Sequence, residues 1–504
     1  MASILWNYAG SVVSVFLQLG YTAYTGRTVA PSSFGAYAVG LTVIQFFGYF
    51  ATAGLAPSLL RAERVTLRMV RAAHRLGVLA GLVCLILIES TAPAMGHLWR
   101  MPELGPMLQV MACQFLFMPG ASIVVAALRR LGRARTAVTV EVTGQAVGMA
   151  AGSALLACGW NPWGVAATQG VAASVTLIMG TIAVASLRLA PGPTVGLRDL
   201  LASCSFLTAY SLVQFATNSA PVWATARLLG AGAAGTLSRA STLTGLPLTF
   251  VAQGLIRAVT PLITERRWHG LRIAMEHVLC MTSAAAFIGF GVVGGLGPAA
   301  LTILLGQGWG TAAGLVPLLA AASAATLLCS LGSSIDQARH ASAAVIGAQF
   351  TVTTGSVLGI AVAAGLRDLS LLVTAAIVGQ SAGHVVQLWF WHRSGLLRFD
   401  TAARIHLPHI LIGAVLGSAA ALGSSLGGDP VSALFWGLAA TLLAVPVCLL
   451  FRSRIPLYRA AIAVGLIPPA RRSAGLSEVT GAEKEDGRGN ERGRGPGESA
   501  FPAA

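Results

Sequence analysis

Long apolar stretches alternate with short arginine-bearing breaks along nearly the whole chain. A helix needs about 20 apolar residues to cross a bilayer. Fourteen such stretches are present, at 4–26, 34–60, 76–95, 106–128, 136–158, 163–187, 200–226, 234–262, 278–298, 313–333, 343–364, 370–391, 407–427 and 431–451. With 55% hydrophobic and 10% charged residues, the chain is too apolar for a soluble core. In lipid each segment must satisfy its own backbone hydrogen bonds, so the stretches are read as helices. The sequence predicts an all-α polytopic membrane protein with about 14 transmembrane helices. Met1–Gly26 has no basic leader before its apolar run, so it reads as the first span rather than a cleaved signal peptide.

Charge gives the orientation. One set of breaks is basic, with five arginines in Arg61–Arg75 and four in Arg129–Arg135. The opposite set holds only Arg27, Arg100, Arg227 and Arg367. Basic loops stay in the cytoplasm, which places both termini there. The net charge of +16 is thereby explained by orientation, and nucleic acid is not an expected partner. The seven cysteines lie in or beside apolar segments without metal-ligand spacing, and read as small packing residues. No metal constellation, cofactor motif or nucleophile–base pair is present, so an enzyme is not expected.

The chain also repeats itself. Aligned without gaps, residues 1–60 and 201–260 share twelve identities, among them Thr25, Arg27, Gly35, Thr42, Gly54 and Leu55. Composition alone gives about five. Six spans precede the seventh, so both halves start on the same side, as parallel repeats do. The expected organisation is a six-helix lobe at 1–187, a Pro/Gly linker at 188–199 and a second six-helix lobe at 200–391. Two further helices follow at 392–451, then a tail at 452–504, first basic and membrane-associated, then disordered.

Polar groups inside spans mark candidate functional faces. Asn7, Ser11, Ser14, Gln18, Tyr21 and Thr25 step by four and three along one face of span 1. The matching positions on span 7 include Gln214 and Asn218. Such a stripe either lines a cavity or hydrogen-bonds neighbouring helices. Span 8 carries Arg239 and Arg257, eighteen residues or five turns apart, with Gln253 close to the same face and Pro247 between them as an expected kink. These arginines either line a cavity or snorkel to the two interfaces. Arg27 and Arg227 sit at the outer ends of spans 1 and 7, as ordinary anchors or as a paired cationic rim suited to phosphate. Glu141 either titrates during transport or pairs with a base such as Arg257. On span 12, Gln380, His384 and Gln387 share a face, and His384 is either a proton site or a structural hydrogen-bonded residue.

Two stretches resemble the bacterial polysaccharide-unit flippases, the Wzx-type polysaccharide transporters. In the first half the match runs from Arg27 through Phe34, Gly35 and Tyr37 to Gly54 and Leu55. In the second it is Leu237-Ser238-Arg239-Ala240, Leu246-Pro247 and Pro261-Leu262-Ile263-Thr264, with Leu237 where the family usually has Tyr. Ile303–Ala320 is similar to the family's Gly-x-x-Trp segment. The resemblance implies MATE-like and MurJ-like lobes around a central cleft that opens alternately. It also implies a polyprenyl-diphosphate-linked oligosaccharide as cargo, turned from the inner to the outer leaflet. Membrane lipids are then partners, with a glycan polymerase or glycosyltransferases of the same pathway. Under this reading Arg27, Arg227, Arg239 and Arg257 hold the diphosphate in successive states. Asn7, Gln18, Gln214, Asn218 and Gln253 contact sugar or water. The rivals are a MATE-type cation-coupled exporter, which calls for acids in its cleft, and a non-transporting scaffold for a glycan-synthesis complex.

Overall fold

A computed structural model describes residues 2–52, 59, 66–187, 205–264 and 268–450. Within them are sixteen α-helices and no strand. They are α1 (Ala2–Thr28), α2 (Pro31–Thr52), α3 (Leu67–Trp99), α4 (Leu104–Ala112), α5 (Met118–Arg130), α6 (Ala134–Ala157), α7 (Trp163–Ala185) and α8 (Ser205–Leu228). Then come α9 (Ala231–Thr264), α10 (Trp268–Ala284), α11 (Phe290–Leu305), α12 (Gly310–Ala338), α13 (Ser342–Leu366), α14 (Leu369–Arg393), α15 (Phe399–Ser425) and α16 (Pro430–Leu450). A short 3₁₀ turn at Cys113–Leu116 divides α4 from α5, and a π turn at Ala285–Gly289 divides α10 from α11. Each pair is one interrupted span, so the sixteen helices make the fourteen spans read from the sequence. The expected linker at 188–199, the tail from 452 and the side chain of Arg257 lie outside the described residues.

Nine spans among the described residues are long and apolar enough to cross a membrane on composition alone. Of the five that fall short, α1, α6, α8 and α9 carry almost all the candidate site residues. Their hydropathy deficit is the polar face itself. The lipid-type surface lies elsewhere: Leu79, Leu82, Val83, Ile86 and Leu87 of α3 are exposed, as are Val357, Leu358 and Val362 of α13. Cys113 and Cys158 are exposed too, which corrects the reading of every cysteine as a packing residue.

Helix ends follow local chemistry. Thr66 caps α3 by accepting from the Met69 amide, and Asp368 caps α14 through the Ser370 amide. Pro31 starts α2, where its missing N–H costs nothing. α9 runs unbroken through Pro247.

The two halves repeat their packing. α1 packs on α6 as α8 packs on α13; α6 on α7 as α13 on α14; α5 on α7 as α12 on α14. Where the halves meet, α2 crosses α9 at two glycines that are repeat partners. Gly35 lies against the backbone of Ala231, and Gly235 against the backbone of Pro31. That reciprocity is what a local two-fold axis between equivalent elements requires. Any larger residue at either glycine would hold the helices apart.

Candidate functional site

A cavity of about 680 Å³ opens within the first half, between α1, α2, α5, α6 and α7. Its walls carry Gln18, Gln45, Gln114, Gln145 and Gln169, five of the six glutamines in residues 1–187. Ser122, Thr168 and Thr176 add hydroxyls. Primary amides donate and accept at once, which suits hydroxyl-rich cargo or water.

At one end Arg129, the penultimate residue of α5, forms an ion pair with Glu141 in the second turn of α6. Both side chains remain well exposed, so this end meets solvent. Of the two roles read for Glu141, titration or pairing with a base such as Arg257, the pairing has Arg129 as its base. Glu141, Gln145, Gly148 and Gly152 step by four and three to form one stripe on α6, and Gly148 and Gly152 pack against Thr168 and Gly164 on α7. The stripe therefore divides into a polar end in the cavity and a small-residue end at a helix crossing.

At the other end stand two tyrosines. Tyr21 meets Thr168 Oγ1 at 2.6 Å, and Tyr37 hydrogen-bonds Gln169. Behind them lies Arg239 of α9, 8% exposed, its guanidinium 3.4 Å above the Phe34 ring. Among the described residues no carboxylate pairs with it and its Nε has no hydrogen-bond partner. A desolvated cation–π contact is worth about 2 kcal/mol. Burying an ion costs several. Phe34 alone does not offset that cost, which leaves a buried cation with capacity for an anion.

Phe34 also joins an apolar plug, a buried cluster that includes Trp309. It meets Trp309 edge-to-face at 5.8 Å, and the Trp309 indole donates to the Gly26 carbonyl at 2.8 Å. Arg27 donates to the Ile303 carbonyl of α11 at 2.7 Å. Arg27 is thus held by α11, while Arg227 is exposed at the end of α8.

Of the remaining candidates, Gln18 shares the cavity with Glu141. Asn7 lies nearer the start of α1, where its carbonyl accepts from Ser11. Gln214, Asn218 and Gln253 belong to α8 and α9 and do not line this cavity. On α8 it is Thr217 that is buried, bonded to Thr353 of α13 at 2.9 Å. His384 is buried on α14 among other histidines. The sequence reading missed Gln45, Gln114, Gln145 and Gln169 as cavity residues, although an amide alone in an apolar span is a visible signal.

Comparison with known proteins fits this arrangement. The polysaccharide biosynthesis protein family matches residues 26–314. The succinoglycan biosynthesis transport protein ExoT of Rhizobium meliloti (strain 1021) is 24% identical over 334 residues, 64% of this chain and 66% of that protein. The match thus spans just under two thirds of that relative's length. The lipid II flippase MurJ, in an inward closed conformation, superposes with a TM-score of 0.68 at 14% identity, covering 92% of this chain and 99% of that one. A multidrug resistance MATE family transporter in an inward-facing conformation gives 0.59 at 14% identity, covering 76% and 94%. The resemblance to polysaccharide-unit flippases is borne out by the family match and by this fold. The chain belongs to the polysaccharide biosynthesis protein family and is a multi-pass membrane protein with the fold of MurJ and MATE.

Proposed function

We propose that this protein is a flippase for a polyprenyl-diphosphate-linked oligosaccharide, moving it from the inner to the outer leaflet of the bacterial cytoplasmic membrane. The observation that carries the reading is Arg239: a buried cation without a carboxylate, beside Tyr21 and Tyr37, next to Thr168 and Gln169 of a glutamine-lined cavity. A diphosphate cannot cross hydrocarbon unpaired, and guanidinium matches its oxygens in pairs. Sugar hydroxyls find amide partners in Gln18 and the four glutamines around it.

In this account the basic breaks face the cytoplasm, so the Arg129–Glu141 end is the inner mouth. Cargo enters there, and its diphosphate competes with Glu141 for Arg129. Separation of α2 from α9 then releases the plug of Phe34 and Trp309, bringing Arg239 within reach. The two lobes, at 1–187 and 200–391, rock apart at the Gly35–Gly235 crossing, and the helices of 392–451 accompany the second lobe. Arg27, Arg227 and Arg257 serve the diphosphate in later states, with Asn7, Gln214, Asn218 and Gln253 toward sugar or water. Glycan polymerase or glycosyltransferases of the pathway receive or supply the cargo.

The test is export in cells that depend on this protein. Arg239→Ala is expected to abolish surface polysaccharide at wild-type levels of protein in the membrane. Normal export by that variant removes Arg239 from the mechanism. Unimpaired export together with loss of cationic drug efflux would favour a MATE-type exporter.

A further inference from the structure

A second polar cluster lies in the other half of the molecule, on α10, α14 and α15. His384 Nδ1 faces Gln387 Oε1 at 3.3 Å, and His384 Nε2 faces His406 Nε2 at 3.4 Å. His406 Nδ1 lies 2.9 Å from Ser283 Oγ, and His409 Nδ1 lies 3.0 Å from the same oxygen. The donors in this chain are all determined by one residue. Gln387 Nε2 donates to the Cys329 carbonyl at 2.9 Å and to Ser333 Oγ at 3.0 Å, which fixes Oε1 as an acceptor. His384 must then carry its proton on Nδ1, leaving Nε2 to accept. His406 therefore donates from Nε2 and accepts at Nδ1, so the Ser283 hydroxyl donates to it. Ser283 in turn accepts from His409 Nδ1–H. The chain ends on the lone pair of His409 Nε2, a buried atom with no hydrogen-bond partner among the described residues.

We propose that these four residues form a one-proton relay with a fixed direction. A proton binds the His409 Nε2 lone pair. His409 passes its Nδ1 proton to Ser283 Oγ, Ser283 passes its own to His406 Nδ1, and His406 passes its Nε2 proton to His384 Nε2. One proton enters, every hydrogen bond reverses, and the positive charge resides on His384. His384 then donates from both nitrogens, with Gln387 Oε1 still accepting.

Entry from the His384 end is closed. The space beside it, between α10, α12 and α14, is about 10 Å³ and lined mainly by apolar groups such as Met275, Leu328 and Ile335. That space holds about one water at most, and its mainly apolar lining offers few partners to carry a proton in. The nearest titratable groups on the packed helices have other engagements. Asp336 of α12 accepts from Trp391 at 2.7 Å and pairs with Arg339. Asp400 of α15 is exposed and paired with Arg398 and Arg404. The other described ionisable side chains on these helices are Cys329 of α12, Arg272, Glu276, His277 and Cys280 of α10, His392 and Arg393 of α14, and Cys448 of α16; α11 and α13 bring none. The relay is a property of the chain without cargo, and it stands or falls independently of the substrate.

The experiment is NMR of full-length protein in lipid nanodiscs, labelled with ¹⁵N-histidine and assigned by single substitutions. Near neutral pH, His384 and His409 are expected as Nδ1–H tautomers and His406 as Nε2–H. On acidification His384 should become imidazolium while His409 changes to Nε2–H without acquiring charge. His409→Asn keeps a donor toward Ser283 but removes the acceptor, so His384 charging should be lost. Ser283→Ala interrupts the middle and should give the same loss, and decides the matter if His409→Asn fails to fold. An Nε2–H tautomer at neutral His384, or unchanged His384 charging in both variants, overturns the relay.

Discussion

Substituting Gly35 by alanine probes the proposed rocking motion where the lobes part. A Cβ placed there would lie 2.6 Å from the carbonyl carbon and 2.9 Å from the Cα of Ala231, and closer still to the carbonyl oxygen. The obstacle is helical backbone, so no rotamer change relieves it. α2 and α9 must separate by roughly an ångström, as overpacking forces backbone shifts costing about 1–3 kcal/mol. If the separated state is already an alternative of the transporter, that cost becomes a population shift of about 5- to 150-fold toward it. Gly235→Ala meets the carbonyl carbon of Pro31 and the amide of Gly35, each at 3.0 Å, and should act in the same direction. Because one separation relieves both clashes, the double variant should fall well short of the sum. The assay is pulsed EPR between spin labels at positions 160 and 367, in the turns that follow α6 and α13. Longer distances in each single variant, with little further change in the double, are expected. Wild-type distances in Gly35→Ala would refute the proposed separation.

Other substitutions test neighbouring parts of the account. Trp309→Phe removes the donor to the Gly26 carbonyl within a buried plug, which should cost about 1–3 kcal/mol, read as a lower melting temperature in detergent. Arg129→Ala and Glu141→Gln break a half-exposed ion pair, so stability should change by less than about 1 kcal/mol. Transport should fall most in Arg129→Ala, and export by each variant normalised to protein level checks this. Phe34→Leu keeps the volume of the plug but removes the π face under Arg239; it should impair export more than Tyr24→Phe, whose hydroxyl contact is exposed and long at 3.3 Å.

Much of the fold was legible because membrane spans write themselves in apolar runs, and because the repeat kept Gly35 and Gly235 in register. The interruptions were not. Cys113–Leu116 and Ala285–Gly289 are as apolar as their surroundings, so nothing in hydropathy marks them. The stripe on α1 was visible because its members recur on one helical face, and Gln18 does line the cavity. Gln45, Gln114 and Gln169 each stand alone on their own helices, and only tertiary packing brings them together. Arg239 stood out as a cation in an apolar helix, yet Phe34, the ring beneath it, comes from the other half of the chain. The same holds for His384, whose i,i+3 partner Gln387 was readable while His406, the third member, lies on the next helix.

The most direct measurement of the central claim is the leaflet on which the lipid-linked oligosaccharide resides. Cells lacking this protein would be treated with a membrane-impermeant glycan-modifying probe. The account predicts that the oligosaccharide accumulates unmodified on the inner leaflet, and that wild-type protein restores outer exposure while Arg239→Ala does not. Normal outer-leaflet exposure in the deletion strain would contradict it.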